Sequence, residues 1–106
     1  MKTVVILQAR YTSTRLPGKV LKKVNGITVL EWVVRLSRLI NGVDEVCVAV
    51  PEGSAHRAVS AEAARLGAHV VTGPEEDVLQ RFVIAAHSTS ADTIMRITTD
   101  CLSTAE

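Results

Sequence analysis

The sequence predicts an α/β chain with a parallel sheet, and three observations point there. Thr3 to Leu7 and Glu45 to Val50 are apolar, β-branched runs without polar alternation, the pattern of strands buried on both faces. Segments with apolar residues at helical spacing separate such runs, so the order reads strand, helix, strand, helix, strand, helix, strand. The chain also has 106 residues, 47% of them apolar, with Tyr11, Trp32 and Phe82 as the only aromatics. That size suits a single domain over residues 1–106 with an aliphatic core.

Each element has its own signal. Thr3 to Leu7 is the first strand, followed by a long polar loop from Gln8 to Gly26. Thr28-Val29-Leu30-Glu31 has capping-box spacing. Val29, Leu30, Val33, Val34, Leu36 and Ile40 then form a helical stripe, expected to stop at Asn41-Gly42. Glu45 to Val50 is the second strand, closed by Pro51, and Ser54 to Leu66 is an alanine-rich helix ended by Gly67. His69 to Val71 is a short third strand. After Gly73-Pro74, the acids Glu75, Glu76 and Asp77 are expected in a first helical turn, where the helix dipole favours them. Val78, Leu79, Phe82, Val83 and Ala86 give that helix its apolar stripe, and Asp92 to Thr98 is the fourth strand.

Charge and composition narrow the function classes. A formal net charge of +1 argues against a nucleic-acid or membrane surface. The first thirty residues nevertheless carry six basic residues and no acid, whereas residues 31–106 carry six basic and eleven acidic, a net of −5. A local anion site fits that asymmetry. No run of 18 apolar residues and no signal-type stretch is present, so a cytoplasmic protein with free thiols at Cys47 and Cys101 is expected. His56, His69 and His87 lack metal-ligand spacing and read as structural. Cys101 has no evident base beside it and reads as an incidental thiol.

In an open α/β sheet, ligands bind beyond the carboxyl ends of the strands, at the switch in strand order. The loop after the first strand carries Arg10, Arg15 and Lys19, and Pro17-Gly18 can fold Lys19 back toward the two arginines. Three cations on one loop, beside exposed backbone N–H groups, suit a polyphosphate; a solvated basic loop is the other reading. This is not a Walker A loop, because Ser13 stands in place of the first glycine and Val20 follows the lysine. A receiver domain is excluded by the absence of paired acids at the end of the first strand.

The run Leu7-Gln8-Ala9-Arg10-Tyr11-Thr12-Ser13-Thr14-Arg15-Leu16-Pro17-Gly18-Lys19-Val20-Leu21 closely resembles the N-terminal signature of the cytidylyltransferases. These include the synthetases of CMP-activated Kdo and sialic acids and the spore-coat polysaccharide biosynthesis protein F branch. Asp44-Glu45-Val46, Gly73-Pro74-Glu75-Glu76-Asp77-Val78-Leu79-Gln80-Arg81 and Arg96-Ile97-Thr98-Thr99-Asp100-Cys101 agree in the same order. The resemblance implies a Rossmann-like, GT-A-like α/β/α nucleotidyltransferase domain, with four mostly parallel strands in a truncated sheet. It implies binding of CTP with Mg²⁺, attack of a sugar hydroxyl on the α-phosphate, and release of pyrophosphate. By the same resemblance Arg10 and Lys19 would hold the triphosphate, with Arg15 and Ser13 in support, and the Gln8-Ala9 backbone would lie against the base. Thr72, Gly73 and Asp77, with Arg81, would complete the nucleotide pocket, and Asp100 would be the metal ligand.

Thr99 and Leu102 stand where this family usually carries glycine and proline around that aspartate. Members are longer, and their additional part supplies the sugar pocket, a second acidic metal ligand and usually a dimer interface. The chain thus corresponds to the nucleotide half of such a transferase. A catalytically inactive nucleotide-binding or interaction module is the alternative. With few guarding residues on Thr93 to Ile97, the last strand's edge is expected to be covered in a homodimer or larger assembly.

Overall fold

The structure, a computed structural model, describes residues 1–9 and 19–98. Four strands form one sheet: β1 (Thr3–Gln8), β4 (Glu45–Pro51), β5 (His69–Gly73) and β6 (Thr93–Thr98), in the order β5-β4-β1-β6. All neighbours are parallel, with Val5 beside Val46 on one side and Met95 on the other. Two short strands, β2 (Lys23–Val24) and β3 (Ile27–Thr28), pair antiparallel as a separate hairpin. The helices are α1 (Val29–Arg38), α2 (Arg57–Arg65) and α3 (Val78–Thr89).

Strand pleating sorts the core into two halves. Val5, Leu7, Val46, Val48 and Val50 pack with Val33 and Val34 of α1 and Val59 and Ala63 of α2. Val4, Ile6, Cys47 and Ala49 point the other way, onto Ala85, Phe82 and Ile84 of α3. Three layers result, α/β/α, as expected. Burial on both faces explains why β1 and β4 carry no polar alternation.

The local departures have physical causes. The predicted loop from Gln8 to Gly26 contains a 3-10 turn at Lys19–Leu21 and the β2–β3 hairpin. Asn25 and Gly26 both take positive φ, 55° and 81°, the pair of angles a two-residue hairpin turn requires. Helix α1 stops at Arg38, three residues before Asn41, and the chain leaves through further turns whose N–H groups bond Leu36 and Ser37. Ser54–His56 is a 3-10 turn, so α2 starts only at Arg57. Strand β5 runs two residues further than predicted, because Thr72 and Gly73 still pair with Val50 and Pro51. Glu75 and Glu76 are not in the first turn of α3. They precede it, and Asp77 is the N-cap, its carboxylate accepting the Gln80 N–H at 2.9 Å.

Topology positions the site. From β1 the chain passes through α1 to β4 and outward to β5, then returns through α3 to β6 on the opposite side of β1. The strand order therefore switches between β1 and β6, and the crevice expected of such a sheet lies at their carboxyl ends. Among the described residues no helix is long and apolar enough to cross a membrane.

Candidate functional site

Gln8 ends β1 at this carboxyl edge, and its carboxamide reaches across to α3. The Gln8 Oε1 atom accepts from Arg81 Nε at 3.0 Å, and Nε2 donates to the Val78 carbonyl at 3.4 Å. Ala9, next in the chain, is buried and donates its N–H to Ala49 at 3.0 Å, which holds the start of the basic loop to β4. Lys19 opens the 3-10 turn on the far side of that loop, anchored by the buried side chain of Val20. The other residues expected from this loop, Arg10, Ser13 and Arg15, lie outside the described residues, as does Asp100.

The segment after β5 is built around a buried cation. Arg81 is only 1% exposed, and its Nη1 donates to the carbonyls of Pro74 at 2.7 Å and Glu75 at 2.8 Å. The guanidinium thus lies behind the loop and braces it. Gly73 fits closely there: a Cβ would lie 3.0 Å from both Arg81 Cγ and Ile84 Cδ1, so one of them would have to shift to admit it. Its carbonyl accepts the Glu52 N–H at 2.8 Å, joining the ends of β4 and β5. Thr72 and Asp77 are exposed beside it. On the other side of the loop, His56 is buried to 2% exposure, with Nε2 2.6 Å from Glu75 Oε2.

The structure brings Gln8, Gly73 and Arg81 together, with Thr72 at the end of β5 and Asp77 at the N-cap of α3 on either side of the connecting loop. Glu75 lies within the expected 72–77 segment, whereas its partner His56 was expected to be structural only. They are nineteen residues apart on different elements, so no spacing signal could have joined them. The N-terminus of α3 follows this loop, and its partial positive charge favours an anion at the same edge.

Metal binding finds little support among these residues. No group of three His, Cys, Asp or Glu able to hold a cation occurs among the described residues. Asp77 is engaged in capping and Glu75 with His56, so neither is a preformed cation ligand.

Two polar groups outside this edge serve other ends. Glu45, His69 and Ser88 have the residue types of a nucleophile relay, and Ser88 Oγ lies 2.6 Å from His69 Nε2. The Glu45 carboxylate is 3.6 Å from His69 Nδ1, too far for a hydrogen bond, and Lys2 holds its other oxygen at 2.7 Å. Ser88 also stands in the last turn of α3, where outward carbonyls disfavour an oxyanion. Between α1 and α2, Arg65 bonds both Glu62 and Glu31, and Thr28 donates to Glu62 at 2.6 Å. These partners hold the Glu62 carboxyl down at about 2, chiefly through Arg65, and lower Glu31 for the same reason.

Comparison with known proteins adds a lineage. The cytidylyltransferase family profile matches residues 4–103. The spore coat polysaccharide biosynthesis protein SpsF of Bacillus subtilis is 33% identical over 99 residues, 90% of this chain and 41% of that protein. A cytidylyltransferase structure from Leptospira borgpetersenii superposes with a TM-score of 0.88 at 32% identity, covering 95% of this chain and 42% of the other. The CMP:2-keto-3-deoxy-manno-octonic acid synthetase complexed with CTP gives a TM-score of 0.75 at 29% identity, covering 93% and 40%. The chain thus spans about two fifths of the length of these proteins.

Proposed function

We propose, for a chain that belongs to the cytidylyltransferase family, that the carboxyl edge between β1 and β6 is a CTP site. With a sugar-binding part supplied, it would serve transfer of CMP to a sugar hydroxyl in activated-sugar synthesis for cell-surface or spore-coat polysaccharide. In that reaction the sugar hydroxyl gives up its proton to solvent as its oxygen bonds to the α-phosphorus, the bond from the α-phosphorus to the bridging oxygen breaks, and pyrophosphate leaves with that oxygen. The observation that carries the reading is placement: the signature loop leaves β1 at the switch point of a sheet that superposes on a CTP-complexed synthetase.

Arg10 and Lys19 neutralise the triphosphate, Arg15 and Ser13 support them, and the Gln8-Ala9 backbone lies against the base. The loop from Thr72 to Asp77, braced by Arg81, closes the pocket. Asp100 would hold Mg²⁺, which would offset phosphate charge when bound. The same reading includes a cytoplasmic location, where CTP is available.

Pyrophosphate release with CTP, Mg²⁺ and a panel of acidic sugars tests the whole reading, with calorimetric CTP binding as its first stage. The second reading is a nucleotide-binding or interaction module without turnover. CTP binding without pyrophosphate release would select that one. Absence of both would overturn the assignment.

A further inference from the structure

We propose that His56, Glu75 and Arg81 are positioning residues that set the backbone of the 74–77 loop to receive a nucleotide oxygen on its amide N–H groups. This rests on the CTP reading above.

The loop is held from two sides. Arg81 draws the Pro74 and Glu75 carbonyls toward α3 at 2.7 and 2.8 Å, and Gln8 steers the guanidinium from β1 at 3.0 Å. His56 grips the Glu75 carboxylate at 2.6 Å from the turn that follows β4, and that turn is closed by the His56 N–H on the Gly53 carbonyl at 3.1 Å. One line of hydrogen bonds therefore joins the carboxyl ends of β1, β4 and β5.

Its consequence lies in peptide geometry. In a trans peptide the N–H points opposite to the C=O. With the Pro74 and Glu75 carbonyls turned onto the buried guanidinium, the N–H groups of Glu75 and Glu76 are directed away from it. Two successive amides so oriented, just before the N-terminus of α3, can donate to an anionic or carbonyl oxygen. Arg81 is 1% exposed, so it acts on such a ligand through the loop rather than by touching it.

The test uses Glu75→Ala and Glu75→Gln, since the Glu75 side chain is 51% exposed and its loss leaves the core untouched. His56→Leu and His56→Gln form a parallel pair, because glutamine can restore a donor near Nε2. CTP affinity is measured by calorimetry well below the melting temperature, with amide hydrogen exchange at residues 75–77. Glu75→Ala and His56→Leu should weaken CTP binding about three- to tenfold, the loss of one hydrogen bond's worth of order, and speed loop exchange. Each glutamine variant should recover most of both. Faster exchange with CTP affinity unchanged would overturn the proposal while leaving the CTP site standing. Unchanged exchange in both variants would overturn it too, by showing that the pair does not hold the loop. Failure of the parent chain to bind CTP would sink the nucleotide reading, and this proposal with it.

Discussion

Arg81 illustrates how a side chain's chemistry can be legible while its task is not. A cation in the family motif invites a phosphate, yet its guanidinium bonds two backbone carbonyls and the Gln8 amide. No spacing rule links residues 8 and 81; only the parallel sheet does. Arg81→Met should destabilise the fold by about 3 kcal/mol, because three acceptors lose the charged donor that holds them, and urea unfolding measures this. The basic loop makes a different demand. Arg10→Ala or Lys19→Ala should leave urea stability nearly unchanged and weaken the rise in melting temperature produced by CTP by about 1.5–3 kcal/mol. Equal shifts in parent and variants would move the phosphate site elsewhere. Cys47 was expected to be a free thiol, and burial together with Glu45 pushes it up to about 12. It should stay unalkylated by iodoacetamide in the native protein at pH 8 and react once the chain is unfolded, as peptide mass mapping would show.

Among the elements, the strands were the most legible, because burial on both faces writes itself as continuous apolar residues. Their ends were less so. Thr72 and Gly73 continue β5 because β4 offers partners, a fact no local pattern contains. The Thr28–Glu31 capping box is half realised: Thr28 Oγ1 accepts the Glu31 N–H at 3.1 Å, while the Glu31 carboxylate binds Arg35 and Arg65. That tie between α1 and α2 predicts an acid limb. Glu62 and Glu31 have folded values below the ordinary 4.5, so their contribution is complete above that pH and is lost as pH falls toward about 2. The melting temperature should decline across that window, and Glu62→Gln should flatten part of the decline; an identical acid limb in Glu62→Gln would refute the tie. Gly73→Ala should cost about 1–3 kcal/mol, because Arg81 or Ile84 must shift to admit the methyl group, and the same urea titration reads it.

At the scale of the molecule, the alternating order of elements was enough to infer the parallel sheet and the crevice, and the family resemblance implied the three layers. It could not show the α3 side of the site, which depends on how the 74–77 loop folds back between β4 and α3. The sheet's two ends differ in consequence. Among the described residues β6 is the end strand beyond β1, with Ile94 42% exposed and the Arg96 guanidinium 5.4 Å from the Phe82 ring centre. An end strand of this kind offers unpaired backbone groups. We expect the chain to sediment as a dimer or larger species at micromolar concentration, with amides of residues 94–97 protected. A monomer with rapid exchange there would show that the edge stays open.

The central place of β1 also governs how the chain must fold. Its first partner, β4, pairs Val4 with Glu45, whereas its second pairs Val4 with Ile94, ninety residues away. Of the two described strands paired on both sides, the earlier in sequence is thus the later to have both edges satisfied. Until residue 98 emerges, one side of an apolar strand has no mate, and closing so long a loop is slow. Folding should therefore proceed from a β1–α1–β4 nucleus, and a nascent chain stalled before β6 should be more prone to aggregate than one that includes β6.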